Sequence, residues 1–197
     1  MAANATAFAQ PHWRVIAAGF DTERWFNDGQ AEGTGGIINP QPTRLPSGQY
    51  YYRFASSQSP RAAQLGGGWW LDFENYNTLR RFAKDNGYAL REAARLMLAL
   101  PYVWTRVDLL VRALLREPLH AWTGLGKAAQ ESAPSLPTTS AGGATSIKKP
   151  SMAATTRWIP TQHVALRQLY VPGLQAAAGG VPLYESVFNQ PMEVIAL

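Results

Sequence analysis

An arginine beside a glycine cluster and several aromatic rings is a combination suited to a phosphate-bearing planar ligand, and one such tract runs from Tyr50 to Tyr76. Tyr52, Arg53 and Phe54 are followed by a polar turn with Ser56, Ser57, Gln58, Ser59 and Pro60, and then by Gly66, Gly67 and Gly68. A guanidinium stays charged, and its planar fork of donors matches two phosphate oxygens. Glycines let backbone approach a ligand closely. Trp69, Trp70, Phe73 and Tyr76 supply flat apolar surface for a nucleobase or nicotinamide ring. Trp69 and Trp70 alternate sides in a strand, which sends one of them inward.

Other residues offer alternatives. Asp72 and Glu74 are two apart, a spacing that in a strand puts both on one side as an acid/base or cation-binding pair, and so as a metal-dependent nuclease. The competing account is capping of a helix that starts near Glu74. His163 is a candidate base or ribose contact, although a lone histidine in a strand is usually structural. For Arg53 the competing account is a strand arginine in an ion pair. Gly124, Leu125, Gly126 and Lys127 lack the first glycine and the Ser or Thr of a phosphate loop, and no GxGxxG or GxSxG is present.

The elements that must position these groups are read from pattern. Residues 1 to 12 read as a disordered leader, with one domain over 13 to 197. Trp13 to Ala17 reads as a strand, Thr22 to Asn27 as a short helical or irregular piece, and Gly29 to Gly48 as a long loop. Gln49 to Ala55 and Trp69 to Phe73 read as strands. Glu74 to Asn86 is helical and closed by Gly87, with a second helix over Leu90 to Leu100. Val103, Val107, Leu110 and Leu114 recur at helical spacing, which predicts a third helix from Pro101 to Arg116. About 128 to 156 is rich in Ser, Thr, Ala, Gly and Pro and reads as a flexible segment. Arg157 to Pro160, His163 to Val171 and Met192 to Leu197 read as strands. The order predicts an α+β fold with a mixed or antiparallel sheet and a helical insertion.

Composition narrows the chemistry. The 197 residues are 46% hydrophobic, enough for one ordinary core, and contain no cysteine, which excludes disulfides and thiolate nucleophiles. No metal is expected from three unclustered histidines. No apolar run is long enough to span a bilayer, so no membrane partner is expected, and Met1 to Gln10 lacks the basic start of a signal peptide. Between Tyr76 and Glu117 eight Lys and Arg stand against four carboxylates. Such a segment forms either a solvated helix face or a basic surface for nucleic acid or an acidic partner protein.

From Tyr52-Arg53 through Gly66-Gly67, the tract resembles the ADP-ribosyltransferase toxin superfamily, and Gly67-Gly68-Trp69 is similar to the glycine pair and Trp turn of the RES-type NAD-degrading toxins. The resemblance implies an ADP-ribosyltransferase-like fold with NAD as substrate. It implies that Arg53 holds the ribose or phosphate, with Ser56, Ser57, Gly67, Gly68, Trp69, Trp70 and Tyr76 around the ligand. It further implies a catalytic glutamate on a late strand, the place Glu193 occupies. ADP-ribose would pass to a macromolecule or to water, because Pro191 stands where arginine-modifying members carry a second glutamate. A bacterial toxin or effector, secreted into a target-cell cytoplasm or cytoplasmic, with an immunity protein as partner, follows from the same resemblance. The alternative function is a non-enzymatic binding module that uses the basic segment.

Overall fold

The structure is a computed structural model that describes residues 1–19, 35–100, 105–127, 129–132, 156–159, 166–178 and 180–197. It is an α+β fold in which every strand pairing among these residues is antiparallel. A three-stranded sheet has the order β11 (Glu193–Ala196), β4 (Leu109–Leu114), β2 (Tyr50–Ala55). A four-stranded sheet has the order β1 (Gln41–Leu45), β5 (Leu119–Leu125), β8 (Arg167–Tyr170), β3 (Trp69–Trp70). Reciprocal backbone hydrogen bonds between Tyr52 and Leu71, 2.9 and 2.7 Å, join the two sheets. Two small pairs complete the strands among the described residues: β6 (Ala129–Ser132) with β7 (Thr156–Ile159), and β9 (Ala177–Ala178) with β10 (Val181–Pro182).

Alternation along β2 explains why two cores form. Tyr51 and Ala55 point to one side and pack with Trp70, Val111, Ala113 and Phe188. Tyr52 points to the other and packs with Leu71, Tyr76, Leu79, Leu110 and Met97. Side chains alternate with period two in a strand, so each face of β2 and β4 seeds its own core. The second core is roofed by two helices, α4 (Phe73–Asn86) and α5 (Leu90–Leu98). Asp72 starts α4 by accepting from the Asn75 N–H at 2.8 Å, and Gly87, at φ 69°, ends it. Four shorter helices are α1 (Ala5–Phe8), α2 (His12–Ala17), α3 (Arg61–Gly66) and α6 (Leu183–Val187).

Several expectations are corrected. The segment Pro101 to Arg116 is not a third helix: its described part contains β4. Leu110 feeds one core and Val111 the other, so apolar residues fall on both faces of the central strand with only Arg112 among them, and such a run also contains a helical spacing. Residues 1 to 12 are not a disordered leader. Asn4 is buried; its amide nitrogen donates to the carbonyls of His120 (2.9 Å) and Pro172 (3.1 Å), and its oxygen accepts from the His120 N–H (2.8 Å). Trp13 to Ala17 is helical, because Trp13, Ile16 and Ala17 form one stripe against Ile37 and Tyr170. The loop expected over Gly29 to Gly48 contains β1. The flexible segment expected near 128 to 156 lies mostly outside the described residues, and its two ends pair as β6 and β7. Thr22 to Asn27 lies wholly outside them.

Candidate functional site

Register decides which candidate residues meet. Glu193 pairs with Arg112, and Arg112 with Tyr52, so these three form one cross-strand row and share a face. The adjacent row is Val194, Val111, Arg53. Adjacent rows point to opposite faces, so Glu193 and Arg53 lie on opposite sides of the three-stranded sheet. The structure does not bring them to one cleft.

Arg53 sits under the glycine turn, where its donors meet main-chain carbonyls. Nε donates to Gln64 O at 2.8 Å, Nη2 to Ala63 O at 2.9 Å and Nη1 to Trp69 O at 3.4 Å. Ala63 and Gln64 belong to the last turn of α3, whose carbonyls have no helical partner, so the guanidinium serves as a C-terminal cap. Burial pushes Arg53 down to about 10, still cationic at neutral pH. The glycines serve packing as well. A Cβ on Gly67 would run into this guanidinium, one on Gly68 into the Tyr170 ring and one on Gly66 into the Tyr184 ring.

The other members of the tract are also engaged. Trp70 is buried, packs against Phe188 with tilted rings 5.0 Å apart and donates its indole N–H to Gly67 O at 2.7 Å. Trp69 packs edge-on to Tyr170 at 4.9 Å. Neither is the open pocket wall expected of it, since β3 lies between two core clusters. Ser56 is buried, and Ser57 donates through N–H and Oγ to the Asp108 carboxylate at 2.7 and 2.5 Å. These bonds hold Asp108 below the usual carboxylate range and tie the β2–α3 turn to the start of β4. Asp72 is occupied by Asn75 main chain and side chain, each 2.8 Å, which is the capping account. Glu74 is exposed in the first turn of α4. His163 lies outside the described residues.

The opposite face of the sheet gathers a different set. Arg112 pairs with Glu193 at 3.0 Å and lies over the Tyr50 ring, 3.9 Å from its centroid. Glu193 and Arg112 are 51% and 38% exposed, so the pair faces solvent. Tyr52 and Tyr76 stack with centroids 3.9 Å apart and planes 9° from parallel. Burial pushes the Tyr76 hydroxyl up, with Arg80, Arg112 and Glu193 among the charges that act on it. Tyr76 and Glu193 are thus brought together, with Tyr50 and Tyr52, present in the tract but given no role at the ligand, and with Arg80 and Arg112, which motif reading missed. Their signal was available: Arg112 is the one cation within Leu109–Leu115, and Tyr50 and Tyr52 alternate with Tyr51.

Gly124 and Leu125 end β5 as ladder partners of Gln168 and Arg167, and Gly126 bridges Ile37, so this stretch is strand and not phosphate loop. A cleft of about 480 Å³ lined by Arg14, Ile37, Ile38, Pro40 and Lys127 lies beside α2, apart from every residue placed at the ligand by resemblance. Among the described residues no cluster of three His, Asp or Glu is placed to hold a metal ion, and no helix is long and apolar enough to cross a membrane.

Comparison with protein-family models, with curated proteins and with solved structures finds no match for this chain.

Proposed function

We propose that the chain binds NAD on the Glu193 face of the three-stranded sheet and cleaves the nicotinamide–ribose bond there, as an ADP-ribosyltransferase or NAD glycohydrolase. The observation that carries this is the row Glu193, Arg112, Tyr52 with Tyr76 stacked behind it. In this proposal the phosphate-holding cation is Arg112, and Arg53 is a positioning residue for the glycine turn.

The chemistry follows from the groups present. Tyr50, 39% exposed beneath the Arg112 guanidinium, offers the uncovered part of its ring to the nicotinamide or adenine, with the buried Tyr52–Tyr76 stack as a rigid floor. Arg112 exchanges Glu193 for the diphosphate, which leaves the carboxylate facing the ribose. The C1′–N bond breaks with its electron pair leaving on nicotinamide. Glu193 stabilises the positive charge on the ribose, and water or an acceptor nucleophile adds to C1′ and loses its proton. An ADP-ribosyltransferase-like arrangement of the α+β fold belongs to the same proposal. So does a secreted bacterial toxin or effector role with a macromolecular acceptor and an immunity partner.

The test is nicotinamide release from NAD, with and without a cell lysate as acceptor source. Wild-type protein releases nicotinamide, and Glu193→Gln slows release roughly 100-fold or more, the scale of losing one preorganised charge. Arg112→Ala raises KM by about tenfold, or ~1.4 kcal/mol of lost binding. The pair is solvent-exposed, where an ion pair adds little to stability, so both variants fold. Unchanged NAD in both settings, or a Glu193→Gln protein as fast as wild type, overturns the proposal.

A further inference from the structure

The exposed side of α4 carries two stripes of different charge. Phe73, Asn77, Arg80 and Lys84 follow at i, i+4, i+7 and i+11, and so do Glu74, Thr78, Arg81 and Asp85. Residues at these spacings lie on one helical face. The first stripe has two cations and no carboxylate, and the second has one cation between two carboxylates. Contacts within the second stripe agree with this division: Arg81 donates to the Thr78 hydroxyl at 3.4 Å, and Thr78 to the Glu74 carbonyl at 3.0 Å.

The carboxylate-free stripe is the one that adjoins the tyrosines. Arg80 lies 5.9 Å from the Tyr76 ring centroid, and Phe73, 56% exposed, lies 6.3 Å from Tyr52. Across the sheet edge Arg112 covers Tyr50. Exposed rings at Phe73 and Tyr50 therefore stand among the cations Arg80, Lys84 and Arg112, and Glu193, the carboxylate beside Arg112, is paired with it. Rings that stack bases and cations that follow a phosphate backbone are what a single strand of nucleic acid requires.

We infer that this aromatic and basic stripe binds single-stranded nucleic acid. Phe73 stacks a base, and Arg80 and Lys84, one helical turn apart, neutralise backbone phosphates. Binding needs neither NAD nor its cleavage, so the inference stands or falls apart from the proposed activity.

The experiment is fluorescence anisotropy of a labelled oligothymidylate titrated with the full chain, without NAD, over a range of salt concentrations. Affinity falls with salt, and the double variant Arg80→Ala/Lys84→Ala binds at least tenfold more weakly, with its log–log salt slope smaller by about 1.4, about 0.7 per lost phosphate contact. Phe73→Ala weakens binding roughly 5- to 150-fold, the range for one stacked base. Arg81→Ala, on the other stripe, stays within about twofold, as a change without a phosphate contact should. All four positions are exposed or at the helix surface, and circular dichroism verifies that each variant is folded. No binding at low salt, a loss from Arg81→Ala as large as that from Arg80→Ala/Lys84→Ala, or tighter binding to anionic phospholipid vesicles than to the oligonucleotide overturns the inference.

Discussion

Arg53 and Arg112 occupy neighbouring rows of one sheet, and their partners decide what each can do. Arg53 donates to three main-chain carbonyls beneath Gly67, and Arg112 is shared between a carboxylate and a ring on an open face. Replacing Gly67 by Ala forces a methyl into the Arg53 guanidinium and costs about 1–3 kcal/mol, the usual range for overpacking. Arg53→Ala leaves carbonyls of α3 without donors, for about 3 kcal/mol. Urea denaturation of the two single variants and the double variant tests the link, because the clash is gone once the guanidinium is removed. Costs that simply add would show that Gly67 is required for some other reason. A second expectation at this scale concerns Tyr51 and Tyr170, both pushed up to about 12, chiefly by burial. The folded state holds them neutral, so the stability they contribute is present below the ordinary tyrosine range near 10 and is lost as pH rises through about 12. Phenolate absorbance during an alkaline titration should leave at least these two tyrosines unionised until the fold opens.

At the scale of elements, local chemistry was readable and long-range pairing was not. Asp72 and Gly87 mark the ends of α4 because a cap acts within one turn, and both stand where the pattern puts them. Asp72→Ala should therefore cost about 1 kcal/mol in the same denaturation experiment, and a change below about 0.3 kcal/mol would mean that the cap is replaced by solvent. The strands of Tyr50 to Ala55 and Glu193 to Ala196 were legible from their residue types. What Leu109 to Leu114 becomes depends on having a core on each side, which no local period reports. The same limit applies to the candidate site. Arg53 and Glu193 each sit on the expected kind of element, but whether they share a face turns on a one-residue register between β2, β4 and β11. The glycine cluster was legible as a place of close approach. That the approaching groups are Arg53, Tyr170 and Tyr184 is a tertiary fact.

Over the whole molecule, two core layers enclose the three-stranded sheet and leave its Glu193 end open, which puts the proposed NAD face and the nucleic-acid stripe on one side of the chain. The four-stranded sheet has a different demand. Its β5–β8 ladder runs from Leu125 to Trp122 and stops short of Pro172, which has no N–H to offer His120. The Asn4 amide fills that rung, bonding both strands across sequence separations of 116 and 168 residues. Time enters at this point. The segment around Asn4 has no seat until Pro172, 168 residues further on, has been made. At roughly 5–20 residues per second, it waits from about 8 to about 34 seconds before the seam it closes exists.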